Sequence, residues 1–270
     1  GLLLGQRAPR FDETVLSKNA HFIDDFERVA TKAIAAKDYF LLVGPPGTGK
    51  TSRALRRMVE KFYAQSETQI LLLAYTNRAV DEICSSLNAI APAIDYIRIG
   101  SELSCDERYR EHLVENVLAP YHRRKEVRQR LSDCRVYVGT VASLSSKTDL
   151  FKLKRFDVAI VDEATQILEP QLLWILSAKA SDGQNAVGKF ILIGDHKQLP
   201  AVVLQRKEDS EVFDEGLRKI GLCNLKDSLF ERLYRSHLAE GDSPVLDMLC
   251  RQGRMHPDVA LFPNQAFYEG

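Results

Sequence analysis

The stretch "LLVGPPGTGKTS", Leu41 to Ser52, constrains this chain more than any other, because it places three glycines and two prolines between an apolar run and a helix-like segment. Residues 44–51 fit the pattern G-x-x-x-x-G-K-[ST]. Glycines let the backbone adopt positive φ and approach a ligand without obstruction by side chains. Successive N–H groups then surround a phosphate chain, and the following helix directs its dipole at the same phosphates. The pattern predicts a nucleoside triphosphate site, and the alternative is a chance glycine turn.

Within this loop, Lys50 is expected to bridge the β- and γ-phosphates, and the Thr51 hydroxyl to ligate Mg²⁺. The predicted nucleotide contacts are Gly44, Pro45, Pro46, Gly47, Thr48, Gly49, Lys50, Thr51 and Ser52.

Short apolar runs alternate with helical or polar sequence along most of the chain, which predicts an α/β fold with a parallel sheet and helices on both faces. The predicted strands are 39–43, 69–75, 95–99, 135–139, 156–162 and 189–194. Ligands of such sheets lie beyond the carboxyl ends of the strands. Residues 101–133 contain no strand candidate and are predicted to be a helical insertion. The basic run at 121–130 in this insertion is either a solvated helix face or a phosphate-tracking surface.

A pair of acids follows one buried strand in "FDVAIVDEATQ", where Asp162 and Glu163 are adjacent. Two neighbouring carboxylates repel, so a metal or an ion pair is required. Asp162 is the expected partner of the Mg²⁺ held by Thr51, and Glu163 is placed to deprotonate an attacking water. A P-loop kinase has no use for such a glutamate, and no guanine-reading N-K-x-D segment is present. Two solvated acids are the alternative.

A further polar turn, "LIGDHKQLP", follows the strand at 189–194. Gln198 in this turn is positioned to hydrogen-bond a γ-phosphate oxygen and a neighbouring element. An ordinary Gly-Asp turn is an equal alternative.

The bulk composition excludes several classes of protein. The chain of 270 residues balances 37 basic against 37 acidic residues, so any anionic partner must be held by local patches. Five cysteines without a CxxC pair argue against a zinc site or a disulfide framework and favour a reducing compartment, cytoplasmic or, in a eukaryote, nuclear. No apolar run reaches the ~20 residues that cross a bilayer, so no membrane partner is expected.

Seven motifs stand in a fixed order: "GPPGTGKT" at 44–51, "AYTNRAVDEI" at 74–83, "GTVAS" at 139–143, "VDEATQ" at 161–166, "GDHKQLP" at 194–200, "SLFERL" at 228–233, and "QGRMHP" with "FPNQAFYEG" at 252–270. Together they resemble the first RecA-like motor domain of a superfamily 1 helicase. The resemblance is to the 5′-to-3′ branch, which contains the nonsense-mediated-decay helicase and the flap-processing nuclease-helicase, and it covers about Lys37 to the C-terminus.

The resemblance implies roles for residues outside the phosphate loop. Thr76, Asn77 and Thr140 are implied to touch the backbone of a single strand, without reading bases. Tyr75 either stacks on a base or packs under the sheet. Arg254 is implied to be the γ-phosphate arginine, contributed by a second motor domain. With Lys50, Glu163 and Gln198 it completes the predicted catalytic set.

Two positions depart from the family pattern. Phe26 stands where family members usually carry an adenine-reading glutamine, and Gln6 is a possible substitute. Gly253 replaces the tyrosine that precedes the Arg-Met-His-Pro run.

The domain prediction has three parts: a lead-in and helix at 1–36, the motor domain at 37–240, and the truncated start of a second motor domain at 241–270. The implied function is an ATP-dependent helicase or translocase on single-stranded nucleic acid, with DNA favoured and RNA possible, and with the second motor domain of the same parent chain as partner. This chain alone is expected to hydrolyse ATP weakly. The alternative is a nucleotide-gated module that binds nucleic acid or protein without unwinding.

Overall fold

The chain forms a layered α/β structure around one sheet in a computed structural model, which describes residues 2–4, 7–17, 21–206, 208–241 and 243–268. The strands are β1 Tyr39–Val43, β2 Ile70–Ala74, β3 Tyr96–Ile99, β4 Val136–Thr140, β5 Phe156–Val161, β6 Val187–Gly194 and β7 Leu246–Met248. The helices are α1 Glu13–Ser17, α2 Asp25–Ala35, α3 Arg56–Ala64, α4 Asn77–Asn88, α5 Val114–Leu118, α6 Arg124–Asp133, α7 Val141–Ser145, α8 Asp149–Leu153, α9 Glu169–Leu176, α10 Glu215–Lys219, α11 Leu229–Glu240 and α12 Pro257–Phe267.

The seven strands lie in the order β3-β4-β2-β5-β6-β1-β7, and every pairing in the sheet is parallel. Successive side chains of a strand point to opposite faces. All residues of β1, β2, β3 and β4 are buried, so helices or loops cover both faces of the sheet in this region. The predicted α/β fold is confirmed, and it is RecA-like. Because all strands run the same way, their carboxyl ends meet at one edge.

The predicted strands are confirmed to within two residues at each end. Strand β2 ends at Ala74, so Tyr75 lies just beyond it. Strand β4 extends to Thr140, which therefore belongs to a strand end as well as to the first helical turn that follows. No strand lies within residues 101–133, all of which the structure describes, and short helices fill this segment. Helix α6 in the insertion has no buried residue.

Strand β7 corrects one feature of the predicted domain division. Residues 241–270 were expected to begin a second domain, yet Leu246–Met248 pair in parallel with Leu41–Val43 at the edge of the same sheet. The backbone N–H of Leu249 also donates to the carbonyl of Val43 at 2.9 Å. The remaining pieces, with 1–36 as a lead-in and the residues after β7 as the start of a second motor domain, stay predictions.

Three further properties bear on function. None of the described helices is both long enough and apolar enough to span a bilayer. Within the described ranges, no group of three or more histidine, cysteine or acidic side chains is arranged to hold a metal by itself. All five cysteines are free thiols. Gln6 lies outside the described residues.

Candidate nucleotide site

The loop between β1 and the following helix has the backbone that its glycines predict. Gly47 and Gly49 adopt φ of 75° and 84°, in the left-handed region. A Cβ on Gly44 would lie 2.6 Å from Lys50 Cδ, so a larger residue there would displace the lysine. The helix begins at Lys50 with a wide turn of π-helix, Lys50–Leu55, and continues as α3. The loop is therefore shaped around the Lys50 side chain.

A cavity of about 520 Å³ opens beside this loop. The phosphate-loop residues that line it are Pro45, Pro46, Gly47, Gly49, Lys50, Thr51 and Ser52, and the other lining residues are Thr76, Arg78, Ala79, Glu82, Ser85, Ser86, Glu163, Gln198 and Arg254. Two predicted contacts do not line it: Gly44 and Thr48. Thr48 is buried, and its hydroxyl donates to the carbonyl of Pro45 at 2.7 Å. The Thr48 side chain thus closes the loop, and its contact with the nucleotide stays a prediction.

The predicted metal ligands meet although 111 residues separate them. The Thr51 hydroxyl donates to Asp162 Oδ2 at 2.5 Å, and the backbone N–H of Glu163 donates to Asp162 Oδ1 at 2.9 Å. Burial raises the pKa of Asp162, and the Thr51 hydrogen bond opposes this shift. A hydroxyl and a carboxylate side by side are the hard oxygen ligands that Mg²⁺ accepts. The residues present therefore fit the ion that the sequence predicts.

Glu163 faces the cavity from a strained position, because its φ of 51° lies in the left-handed region. This conformation turns the chain sharply at the end of β5. Burial is the largest cause of the raised pKa of Glu163, and the neighbouring carboxylates of Asp162 and Glu82 raise it further. A carboxylate with a raised pKa is a stronger base at the same ionisation state.

The Lys50 ammonium interacts electrostatically with the carboxylates of Asp162 and Glu163. Burial lowers its pKa, and the carboxylates of Asp162, Asp195 and Glu163 oppose that shift. The buried part of the site therefore places the Lys50 ammonium among several carboxylates, and Arg78 and Arg254 add two further cations to the cavity lining. Triphosphate oxygens and a divalent ion would complete its charge balance.

Gln198 reaches the cavity from the turn after β6. Its Nε2 donates to Asp195 Oδ2 at 2.8 Å, which leaves the amide oxygen for another partner. The Tyr268 hydroxyl donates to the same Oδ2 at 2.6 Å. Asp195 itself was not among the predicted site residues, although it lies in the same polar turn as Gln198.

Arg254 lines the cavity opposite the loop. The backbone N–H of Gly253 donates to the carbonyl of Gly47 at 3.0 Å, which seats this segment against the phosphate loop. A Cβ on Gly47 would lie 2.9 Å from Arg254 Cβ. The structure therefore brings Arg254 to the predicted phosphate position from within this chain.

Helix α4 contributes side chains that sequence reasoning missed. Arg78, Glu82 and Ser86 repeat every four residues and so share one face of the helix. The Ser86 hydroxyl donates to the carbonyl of Thr51 at 3.3 Å. The spacing was visible in the sequence, but nothing there indicated that this face lies beside the phosphate loop.

The predicted nucleic-acid contacts have different surroundings. Tyr75 is 37% exposed. Thr76 is exposed and caps α4, with its hydroxyl accepting from Ala79 N at 3.1 Å. Thr140 is only 4% exposed, and its hydroxyl accepts from Ser143 N at 2.9 Å. Asn77 is half-buried at the start of α4. Tyr75 and Thr76 are thus accessible, whereas the Thr140 side chain is committed to a helix cap.

Phe26 has no side-chain amide, so it cannot read adenine by hydrogen bonding as the family's glutamine does. The Arg53 guanidinium lies over its ring at 4.6 Å from the centroid, next to a shallow polar cavity of about 290 Å³. Arg53 also flanks Gly49 of the phosphate loop.

The parallel sheet, the phosphate loop and the Thr51–Asp162 pair define a P-loop nucleotide-binding domain of RecA-like fold. The family model described as an AAA domain matches residues 22–120 and 119–206, and the chain belongs to this family.

Several curated proteins are similar to the chain. The DNA replication ATP-dependent helicase/nuclease JHS1 of Arabidopsis thaliana is 29% identical over 99% of this chain and 18% of its own length. The DNA replication ATP-dependent helicase/nuclease DNA2 of Bos taurus is 31% identical over 88% of this chain and 20% of its own length. The DNA polymerase alpha-associated DNA helicase A of Saccharomyces cerevisiae is 26% identical over 92% of this chain and 41% of its own length.

The predicted resemblance to a superfamily 1 helicase motor domain is confirmed by these relatives. The chain spans about a fifth of the length of the first two.

Proposed function

We propose that this chain is the ATP-hydrolysing motor domain of a helicase or translocase that moves on single-stranded DNA. The observation that carries the proposal is the single cavity in which the phosphate loop, Thr51, Glu163, Gln198 and Arg254 converge. All three relatives are named as helicases of DNA replication or as a DNA helicase, which favours DNA over RNA. The 5′-to-3′ direction, a second motor domain as partner, and a cytoplasmic or nuclear location belong to the same proposal.

Each side chain has a defined task in this proposal. The backbone N–H groups of the loop and Lys50 bind the triphosphate of ATP. Thr51 and Asp162 hold Mg²⁺, which supplies Lewis-acid polarisation of the phosphate oxygens when bound. Glu163 accepts the proton of the attacking water. Gln198 and Arg254 stabilise the charge that develops on the γ-phosphate oxygens.

The position of Thr76 links the nucleotide site to the segment predicted to touch the nucleic-acid strand. Thr76 lines the nucleotide cavity, and the preceding residue, Tyr75, lines a second cavity beside it. A shift at Thr76 on loss of the γ-phosphate is therefore transmitted to the segment predicted to touch the strand.

The experiment measures phosphate release from ATP by the parent protein, in which this chain is joined to the second motor domain, without nucleic acid, with oligo-dT, and with oligo-U, at one fixed salt concentration. Stimulation by oligo-dT above oligo-U is expected. Binding of ATP and of oligo-dT without strand-stimulated hydrolysis would overturn the motor proposal and leave the nucleotide-gated binding module.

The variant Glu163→Gln tests the role of the predicted base. We expect turnover to fall by about 10²-fold or more while nucleotide affinity is retained, because the amide cannot accept the proton. Glu111→Gln is the matched control, since the Glu111 side chain is 78% exposed outside the cavity. Unchanged turnover in Glu163→Gln would remove Glu163 from the reaction.

A further inference from the structure

A cluster of ion pairs fastens strand β7 to helix α2, outside the nucleotide cavity. The Asp247 side chain, in the middle of β7, is only 8% exposed. Arg28 Nη1 donates to both of its carboxylate oxygens at 2.5 Å, and Lys32 Nζ lies 3.1 Å from Oδ2. Two cations from successive turns of α2 therefore converge on one carboxylate. None of these three side chains lines the nucleotide cavity.

These ion pairs matter because the backbone pairing of β7 is short. Its three residues pair only with β1, at the edge of the described sheet. Asp247 is the one buried residue of the three. Successive residues of a strand face opposite sides, so a slip by one residue would put an apolar side chain opposite the two cations of α2. These cations are only 28% and 24% exposed, so the loss of their partner is costly. The cluster therefore fixes the register of β7.

The register of β7 in turn sets the position of Arg254. Residues 249–251 join β7 to a turn that the Gln252 side chain closes. Its Oε1 accepts from the backbone N–H groups of Arg254 at 3.1 Å and Met255 at 2.9 Å, and its Nε2 donates to the carbonyl of Met255 at 3.0 Å. Because the turn is held by these bonds and the connection is short, a one-residue slip of β7 would move Arg254 by about 3.3 Å.

We propose that Asp247 is a positioning residue for Arg254, because its ion pairs with Arg28 and Lys32 hold β7 in the register that presents the arginine to the γ-phosphate. The proposal rests on the proposed function, since it needs Arg254 to act on that phosphate. Arg254 stabilises charge that develops in the transition state, so its placement affects kcat more than KM for ATP. A misplacement of about 1 Å in such a group can cost about 10²-fold in rate.

The experiment measures ATP turnover by the parent protein at a saturating concentration of oligo-dT. We expect Asp247→Asn to lower kcat by about 10-fold to 100-fold and to leave KM for ATP within about 2-fold of the parent value. Arg28→Gln breaks the cluster from its more exposed side. It should lower kcat in the same way but less, since Lys32 still pairs with the carboxylate.

Asp38→Asn is the matched control. Asp38 is also buried beside two cations, with Arg7 Nη2 at 3.1 Å and Arg10 Nη2 at 2.8 Å from its Oδ1. It precedes the amino end of β1, whereas the phosphate loop follows the carboxyl end of that strand. Thermal unfolding of both variants measures the structural cost that they share. We expect both to lose thermal stability, and the loss of kcat to be confined to Asp247→Asn.

A double-mutant cycle separates positioning from general destabilisation. In the Arg254→Ala background, Asp247→Asn should have almost no further effect on kcat, because the group that it positions is absent. A loss of kcat by the same factor in both backgrounds would overturn the positioning role, and so would an unchanged kcat in Asp247→Asn alone. Unchanged turnover in Arg254→Ala would instead overturn the role of Arg254 in the proposed function, and the positioning role with it.

Discussion

Asp162 and Asp195 end neighbouring strands at the same edge of the sheet, and both are almost completely buried, yet their surroundings differ. Asp162 accepts one side-chain hydrogen bond, from Thr51, and one from the backbone. Asp195 accepts from Gln198 Nε2, from the Tyr268 hydroxyl, and from Lys197 N at 3.0 Å. Asp162 thus accepts two hydrogen bonds, and Asp195 accepts three.

The difference separates two uses of a buried carboxylate. A buried anion with few donors is costly, and burial accordingly raises the pKa of Asp162. A cation beside this carboxylate would offset that cost, as the proposed function requires. A buried anion with three donors is already stabilised, and it fixes the groups that bond to it. Asp195 therefore acts as a positioning residue for Gln198, with Tyr268 as the second anchor.

The largest expected effect is that of Asp162→Asn. Turnover of ATP should fall by about 10²-fold or more, since loss of even the outer partners of metal ligands costs 10–100-fold. Without Mg²⁺ and nucleotide, the variant should unfold at a temperature at least as high as the parent chain, because the buried charge is gone.

The pH dependence of Asp162→Asn has a definite sign. A carboxyl group whose pKa is raised by folding stabilises the protein below its unfolded pKa and loses that contribution as pH rises. The stability advantage of the variant should therefore grow from acid to neutral pH. Thermal melts at several pH values check this, and a clear loss of stability at neutral pH would contradict the comparison.

Asp195→Asn should affect stability more than turnover. The free energy of unfolding is expected to fall by about 2–3 kcal/mol, because an amide cannot accept all the hydrogen bonds that the carboxylate receives. That corresponds to a midpoint lower by roughly 4–10 °C. Turnover should fall less than in Asp162→Asn. Calorimetry of the two variants side by side is the measurement, and equal stability changes would break the distinction.

Tyr268→Phe is the mildest of these changes. It removes one donor to Asp195 but keeps the ring that lies 5.4 Å from the Lys197 ammonium. Burial and the hydrogen bond to Asp195 both raise the pKa of Tyr268, so its hydroxyl remains a donor over the working pH range. We expect a loss of stability of about 1 kcal/mol.

Turnover of Tyr268→Phe should fall a few-fold through kcat, while KM for ATP is unchanged, because only the position of Gln198 is loosened. Tyr121→Phe is the matched control, because Tyr121 is a 37% exposed tyrosine in the insertion. A change confined to KM would assign Tyr268 to nucleotide binding instead.

Much of the fold and part of the site followed from sequence pattern. The apolar runs gave six of seven strands, because fully buried parallel strands are continuous apolar segments. Strand β7 was missed because "LDM" is short and partly polar, and it becomes a strand only by pairing with the free edge of β1. The α4 face and Asp195 were missed because their importance depends on what lies next to them.

The sequence by itself determined the phosphate loop, the Asp162–Glu163 pair and the positions of six strands along the chain, since each depends on residues that are neighbours along the chain. The tertiary structure decided which distant side chains meet: Thr51 with Asp162, and Tyr268 with Asp195. The physical reason is that parallel pairing brings every carboxyl end to one edge. Strand order and helix packing, rather than local spacing, then set the partners there.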